Sequence, residues 1–229
     1  MKISKRTIIA LLIGAGALVQ SAHAQPMENT GVMSVLSSME SPAEDMLDAI
    51  DGKDMKKLNI LYHKINISIE ELNKLPVNGE AEGRQRAMLN SWFNLIALEM
   101  KEMDDFPALA SVINQFSGQL IIATKFEHTY QKNIAWMDYL GRELLLLNTY
   151  SSKSTHEKAL IQVRKAELNK TWKSIRSLLT TQQGGNALIT KIDPTVQAIL
   201  HESKASKLIA LSIKELDMVD DVESFFHIE

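Results

Sequence analysis

The chain is 229 residues long, contains no cysteine and has a formal net charge of −3 at pH 7. The lack of cysteine excludes disulfides, thiolate metal sites and C-x-x-C-H haem attachment. Mild acidity, with no basic cluster longer than Lys56-Lys57, argues against nucleic acid and anionic lipid as partners.

Lys2, Lys5 and Arg6 precede an apolar run from Ile8 to Val19, and Ala22-His23-Ala24 supplies a small-x-small site. This pattern predicts a secretory signal peptide over 1–24, cleaved after Ala24, and hence a periplasmic mature chain. Loss of the three basic residues takes the net charge from −3 to −6. No later segment is read as a membrane span.

Pro26, Gly31 and Pro42 punctuate a polar stretch, which predicts a flexible, Met-rich arm over 25–41. Met27, Met33, Met39, Met46 and Met55 stand six or more residues apart. Thioethers suit Cu(I), but this spacing is wide for a cluster, and adaptable apolar filler is the leading reading. Ser41-Pro42-Ala43-Glu44 has the form of a capping box and predicts a short helix ending near Asp51-Gly52.

Asp54 is the predicted cap of the next helix, with Leu58, Leu61, Ile65, Ile69 and Leu72 as its inner stripe. Ile60 and Ile67 add a second stripe and predict neighbours on two sides. Pro76-Val77-Asn78-Gly79 is a strong turn signal. A third helix over 80–104 places Leu89, Phe93, Ile96, Met100 and Met103 on one face, widened by Met88, Trp92, Leu95 and Leu98. Asp104-Asp105-Phe106-Pro107 marks a stop and a restart. The stretch from Asp54 with Leu58, Leu61 and Ile65 echoes the one from Asp105 with Leu109, Val112 and Phe116.

An apolar pattern over 108–149 is too long for one helix of a compact domain. A break is predicted at Lys125 to Thr129, with Thr129 capping the restart. In the second half, Leu144 to Leu147 point in nearly every direction around the axis, which predicts that Trp136 to Leu147 sits at the centre of the bundle. Gly141 there predicts a close helix–helix approach. Asp138 and Arg142 stand at i, i+4 as an ion pair setting helix register, and with Glu143 they are the candidate polar core residues.

After a loop over 148–154, the next helix turns Ile161, Leu168, Trp172, Ile175 and Leu179 inward and a Lys/Arg-rich face outward. Gln182 to Asn186 ends it, and a short turn carries Leu188 and Ile189. Asp193-Pro194 is read as the cap of a last long helix with Val196, Ile199, Leu208, Leu211 and Leu216 in the core. Phe225-Phe226-His227-Ile228 is read as a tail docking onto the bundle or a partner. The expected fold is all-α: an up-and-down bundle of four to five long helices plus short connecting helices, in one domain over 42–229.

His63, His128, His156, His201 and His227 lie beyond the leader, and none is three or four residues from another. No helix therefore presents a His pair, and hydrolase, phosphate-loop and di-iron motifs are missing. The expectation is a non-enzyme without a cofactor. The alternative is a bundle handling copper, iron or haem b, with Met33, Met39, Met46, His128, His201 and His227 as candidate ligands. At the level of fold class it resembles b-type cytochrome four-helix bundles, pairing Met33 or Met46 with His201 or His227. Leu179-Thr180-Thr181-Gln182-Gln183 matches once the L-T-x-x-Q signature that recurs in periplasmic helical stress chaperones; a stress chaperone is the second alternative. The leading expectation is an accessory protein of the cell envelope that binds a protein partner or small ligand.

Overall fold

The computed structural model describes residue 27 and residues 30–102, 106–150 and 154–228. The predicted signal peptide over 1–24 lies outside these residues. Among the described residues there are eight α-helices and no strands. They are α1 Thr30–Asp51, α2 Met55–Lys74, α3 Gly79–Glu102, α4 Phe106–Ala123, α5 Thr129–Tyr150, α6 Thr155–Leu179, α7 Gly185–His201 and α8 Ala205–Phe226. The predicted break between Lys125 and Thr129 does more than kink a helix. It separates two compact units, one ending at Lys125 and one beginning at Phe126, where a single domain over 42–229 was expected. Among the described residues each unit has four long helices, and the expected all-α, helical-bundle class holds.

In the first unit α1 packs on α2 and on α4, and α3 packs on α4, while α2 and α3 touch sparsely. Thr30 to Ser41 is helical, which corrects the expectation of a flexible arm. Val32, Val35, Leu36, Met39, Ala43, Met46, Ala49 and Ile50 form one buried stripe that runs straight through Pro42. A proline inside a helix costs about 3 kcal/mol and removes the donor to the carbonyl of Ser38. Burial of the stripe on both sides outweighs that cost. Ser38 is anchored sideways, its Oγ donating to the Val35 carbonyl at 2.7 Å and sharing a 2.9 Å hydrogen bond with Ser68 Oγ of α2. Met27 belongs to the same unit: it is buried, and its N–H donates to the Ala123 carbonyl at 2.9 Å.

Asp54 caps α2 as predicted, accepting from the Lys57 N–H at 2.9 Å. Leu58, Leu61, Ile65, Ile69 and Leu72 are all buried. Ile60 and Ile67 are not; they are exposed on the outer face, so α2 has neighbours on one side only. The echo aligns α2 with α4 from their first residues, and its matched positions Leu58/Leu109, Leu61/Val112 and Ile65/Phe116 are all buried.

α4 is the helix buried around its circumference: every residue from Leu109 to Ala123 except Ser111 is buried, Asn114, Gln115 and Gln119 included. By length and composition it could cross a membrane, but here it is a core helix. The role expected for Trp136 to Leu147 belongs more fully to α4, since Leu145, Leu146 and Leu147 are only half-buried. α4 has no charge at all, whereas α5 must keep part of its surface for Lys132, Asp138 and Arg142.

In the second unit α5 packs on α6, α6 on α7, α7 on α8, and α8 back on α5, which closes a four-helix ring. Ser154 and Glu157 form a capping box at the start of α6. Asp193-Pro194 does not start a helix. α7 continues through it because Ile189, Ile192, Val196 and Ile199 keep one buried stripe. Asp193 turns to α6, accepting from Trp172 Nε1 at 2.7 Å and from Arg176 Nε at 3.0 Å. The break comes at Glu202, whose Oε1 accepts the backbone N–H groups of Ser203 at 2.8 Å and Lys204 at 2.9 Å. Those two donors hold the Glu202 carboxyl below its ordinary pKa. The end of the chain docks on its own unit, Phe226 stacking on Tyr130 at 4.7 Å.

Arg86 ties the α2–α3 connection together. Its buried guanidinium donates to the carbonyls of Leu72 at 2.8 Å, Leu75 at 2.6 Å and Pro76 at 2.7 Å, and pairs with Glu82. Glu82 in turn accepts from the Asn78 N–H at 3.2 Å. Removing one partner of a buried pair leaves the other charge uncompensated. Arg86→Ala is therefore expected to destabilise the protein by about 3 kcal/mol, read by urea unfolding. Arg84→Ala, which breaks only the exposed pair with Glu80, should shift stability by less than about 0.5 kcal/mol.

Candidate functional site

The polar residues with most chemistry lie on α5, in two i, i+4 pairs that face different neighbours. Asp138 and Arg142 form the predicted ion pair, 3.0 Å apart and partly buried. Tyr139 and Glu143, one residue further on, are rotated by about 100° around the helix and are buried against α6.

On that side stands Arg164, fully buried although the helix was expected to turn a Lys/Arg-rich face outward. Its Nη1 donates to Glu167 Oε2 at 2.7 Å and its Nη2 to the Tyr139 hydroxyl at 3.2 Å. Nε lies 3.8 Å from Glu143 Oε1, and the guanidinium sits 5.6 Å from the Tyr139 ring centroid. Burial opposes the charge, but Tyr139, Glu143 and Glu167 more than offset it, raising the Arg164 pKa. Lys165 is buried as well and donates through Nζ to the Glu202 carbonyl at the α7–α8 connection. Burial lowers its pKa, partly opposed by the Glu202 charge. Arg164 was visible in the pattern: Leu160, Arg164 and Leu168 are spaced by four, so Arg164 occupies a core position of its own stripe.

The other side of α5 faces α8, where the buried stripe reads Leu208, Ser212, Glu215, Met218, Val219 and Val222. The expected core residues Leu211 and Leu216 are displaced to its half-buried flanks. Glu215 is wholly buried, and among the described residues neither carboxyl oxygen has a hydrogen-bond partner. Burial pushes its pKa well above the ordinary carboxylate value; Asp138 raises it further and Arg142 opposes. Gly141 makes the approach possible, as predicted. A Cβ at this position would lie far inside van der Waals distance of Glu215 Oε2 and 2.9 Å from Leu216 Cδ2.

The other candidates are dispersed. Met39 and Met46 lie in the buried stripe of α1, and Met33, half-buried, accepts the Lys125 N–H on its sulfur at 3.5 Å. His128, His201 and His227 are exposed in the second unit, His128 stacking on Tyr130 at 5.2 Å. Among the described residues no three His, Asp or Glu side chains converge as metal ligands. Glu40 of α1 is a further perturbed carboxyl: burial, then the neighbouring Glu44 charge, raise its pKa to about 7. Compared with protein-family models, with curated proteins and with solved structures, the chain matches none.

Two glycine substitutions separate a crowded contact from an open one. Gly141→Ala forces a methyl into Glu215 and Leu216, and is expected to lower stability by about 1–3 kcal/mol. Gly83→Ala, whose new Cβ would sit at an ordinary 3.6 Å from Val77 Cγ1, should instead gain up to about 1 kcal/mol in helix α3. Glu40 keeps its proton in the folded state at pH values where the unfolded chain has lost it. Its contribution is therefore fully present below pH 4.5 and is lost as pH rises through about 7. Glu40→Gln should remove this decline from the stability–pH curve measured by denaturant titration from pH 4 to 8.

Proposed function

We propose that the chain is a non-enzymatic accessory protein of the bacterial cell envelope, exported by its N-terminal signal peptide and engaging a protein partner in the periplasm. What supports a partner-binding role is the outer face of α2. Ile60 is 50% exposed and Ile67 64% exposed, two turns apart on the same line of the helix. His63 and Lys64 lie between them and are exposed too. The inner stripe of the same helix is fully used against α1. Two β-branched apolar residues seven apart on the outer face match the spacing by which a partner helix docks. The export reading is supported by the order of basic, apolar and small residues over 1–24.

The test pairs a double substitution with cross-linking in the native host. Ile60→Ser together with Ile67→Ser should leave the unfolding midpoint within about 0.5 kcal/mol of wild type, because both side chains are exposed. A photoreactive residue at position 63 should give one discrete adduct in periplasmic extracts, which disappears in the double variant. A protein found only in the cytoplasm, or an adduct that persists unchanged in the double variant, would overturn the proposal.

A further inference from the structure

Glu215 places a carboxyl between α5 and α8, with Arg142 the one charge favouring its ionised form. Its carboxyl is pressed against the bare backbone of Gly141, where a Cβ would lie far inside van der Waals distance of Oε2. Neither oxygen accepts a hydrogen bond among the described residues. From α5, Asp138 and Arg142 face it, and Arg142 already pairs with Asp138 at 3.0 Å. From α7 the charge reaching α8 is Lys191, paired with Asp221, six residues further along. Asp193 of α7 is turned to α6, and Lys214 and Asp217 of α8 itself are exposed. Ser212, one turn before Glu215 on the same buried face, also has an unpartnered hydroxyl. An ionised carboxylate at this contact would be shut off from solvent and, among the described residues, without a hydrogen-bond donor, a state that buried groups avoid by protonation or by movement.

We propose that the Gly141–Glu215 contact is a proton-operated latch: protonated, Glu215 lets α8 close on α5; ionised, it lifts α8 away and opens the second unit. The sign follows from linkage. In the open form the carboxyl is hydrated and titrates near its ordinary 4.5, while in the closed form burial raises it. Closure is thus most favoured below pH 4.5. Between that pH and the raised value, the open fraction grows by up to about tenfold per pH unit. The inner faces uncovered are those of Leu140 and Leu144 on α5 and of Leu208, Val219 and Val222 on α8.

Hydrogen exchange on the full chain between pH 5 and 8 tests the latch, once the intrinsic pH dependence of exchange is factored out. Amides of 208–222 should lose protection as pH rises, while those of 58–72 in α2 serve as the reference and stay level. Glu215→Gln, which cannot ionise, should abolish the difference. Constant protection over 208–222 in the wild type, or the same decline in Glu215→Gln, would overturn the latch. An independent reading needs no variant. The side-chain carboxyl carbon of Glu215, followed by NMR in the wild-type protein, should titrate above the ordinary carboxylate range. A midpoint at or below 4.5 with α8 still folded would equally overturn it.

Discussion

With no cysteine to cross-link it, the chain holds the eight helices of its described residues in place by burying apolar stripes, and any charge caught inside a stripe must be neutralised from within. Everything else in the structure follows from how that demand is met. Arg86 meets it with the free carbonyls at the end of α2, a solution available only because a helix terminus lies nearby. Arg164 meets it with carboxylates from two helices and the Tyr139 hydroxyl. Lys165 uses a single carbonyl at the α7–α8 connection. Glu215 has no hydrogen-bond partner among the described residues, and its burial favours the protonated, neutral form.

The two units thus differ in where their polar groups sit. In the first, the buried ions sit toward the ends of α3, Glu82 and Arg86 at one and Glu99 at the other, and the interior of α4 holds uncharged amides such as Asn114, Gln115 and Gln119. In the second, they lie midway along the helices. One turn of α5 carries both systems, Asp138 and Arg142 toward α8 and Tyr139 and Glu143 toward α6. A rotation of α5 about its axis would disturb both at once. The register of this helix is therefore more tightly constrained than its half-buried leucines alone would make it.

Much of this was readable from residue order. The all-helical class, the Asp54 cap, the inner stripe of α2, the break before Thr129, the Asp138–Arg142 pair and the close approach at Gly141 all follow from spacing and local chemistry. Prolines misled twice. Pro42 and Pro194 look like helix starts, yet each sits within a helix because an apolar stripe continues across it. Charged residues misled in the opposite direction. Lys and Arg usually mark a solvated face, and only the four-residue spacing of Leu160, Arg164 and Leu168 hints that this one is internal. Glu215 is similarly spaced between Ser212 and Met218, but the absence of any partner for it depends on which helices meet, and residue order does not contain that.

The contact at Gly141 also couples two positions 74 residues apart in the chain. Glycine is required at 141 chiefly because a glutamate occupies 215, with Leu216 pressing from beside it, and the long side chain fits at 215 because 141 has none. The two sites are therefore free to vary as a pair and not singly. Among descendants of this sequence, a side chain gained at 141 should travel with a shorter residue at 215, leaving a covariation that records the packing of α5 on α8.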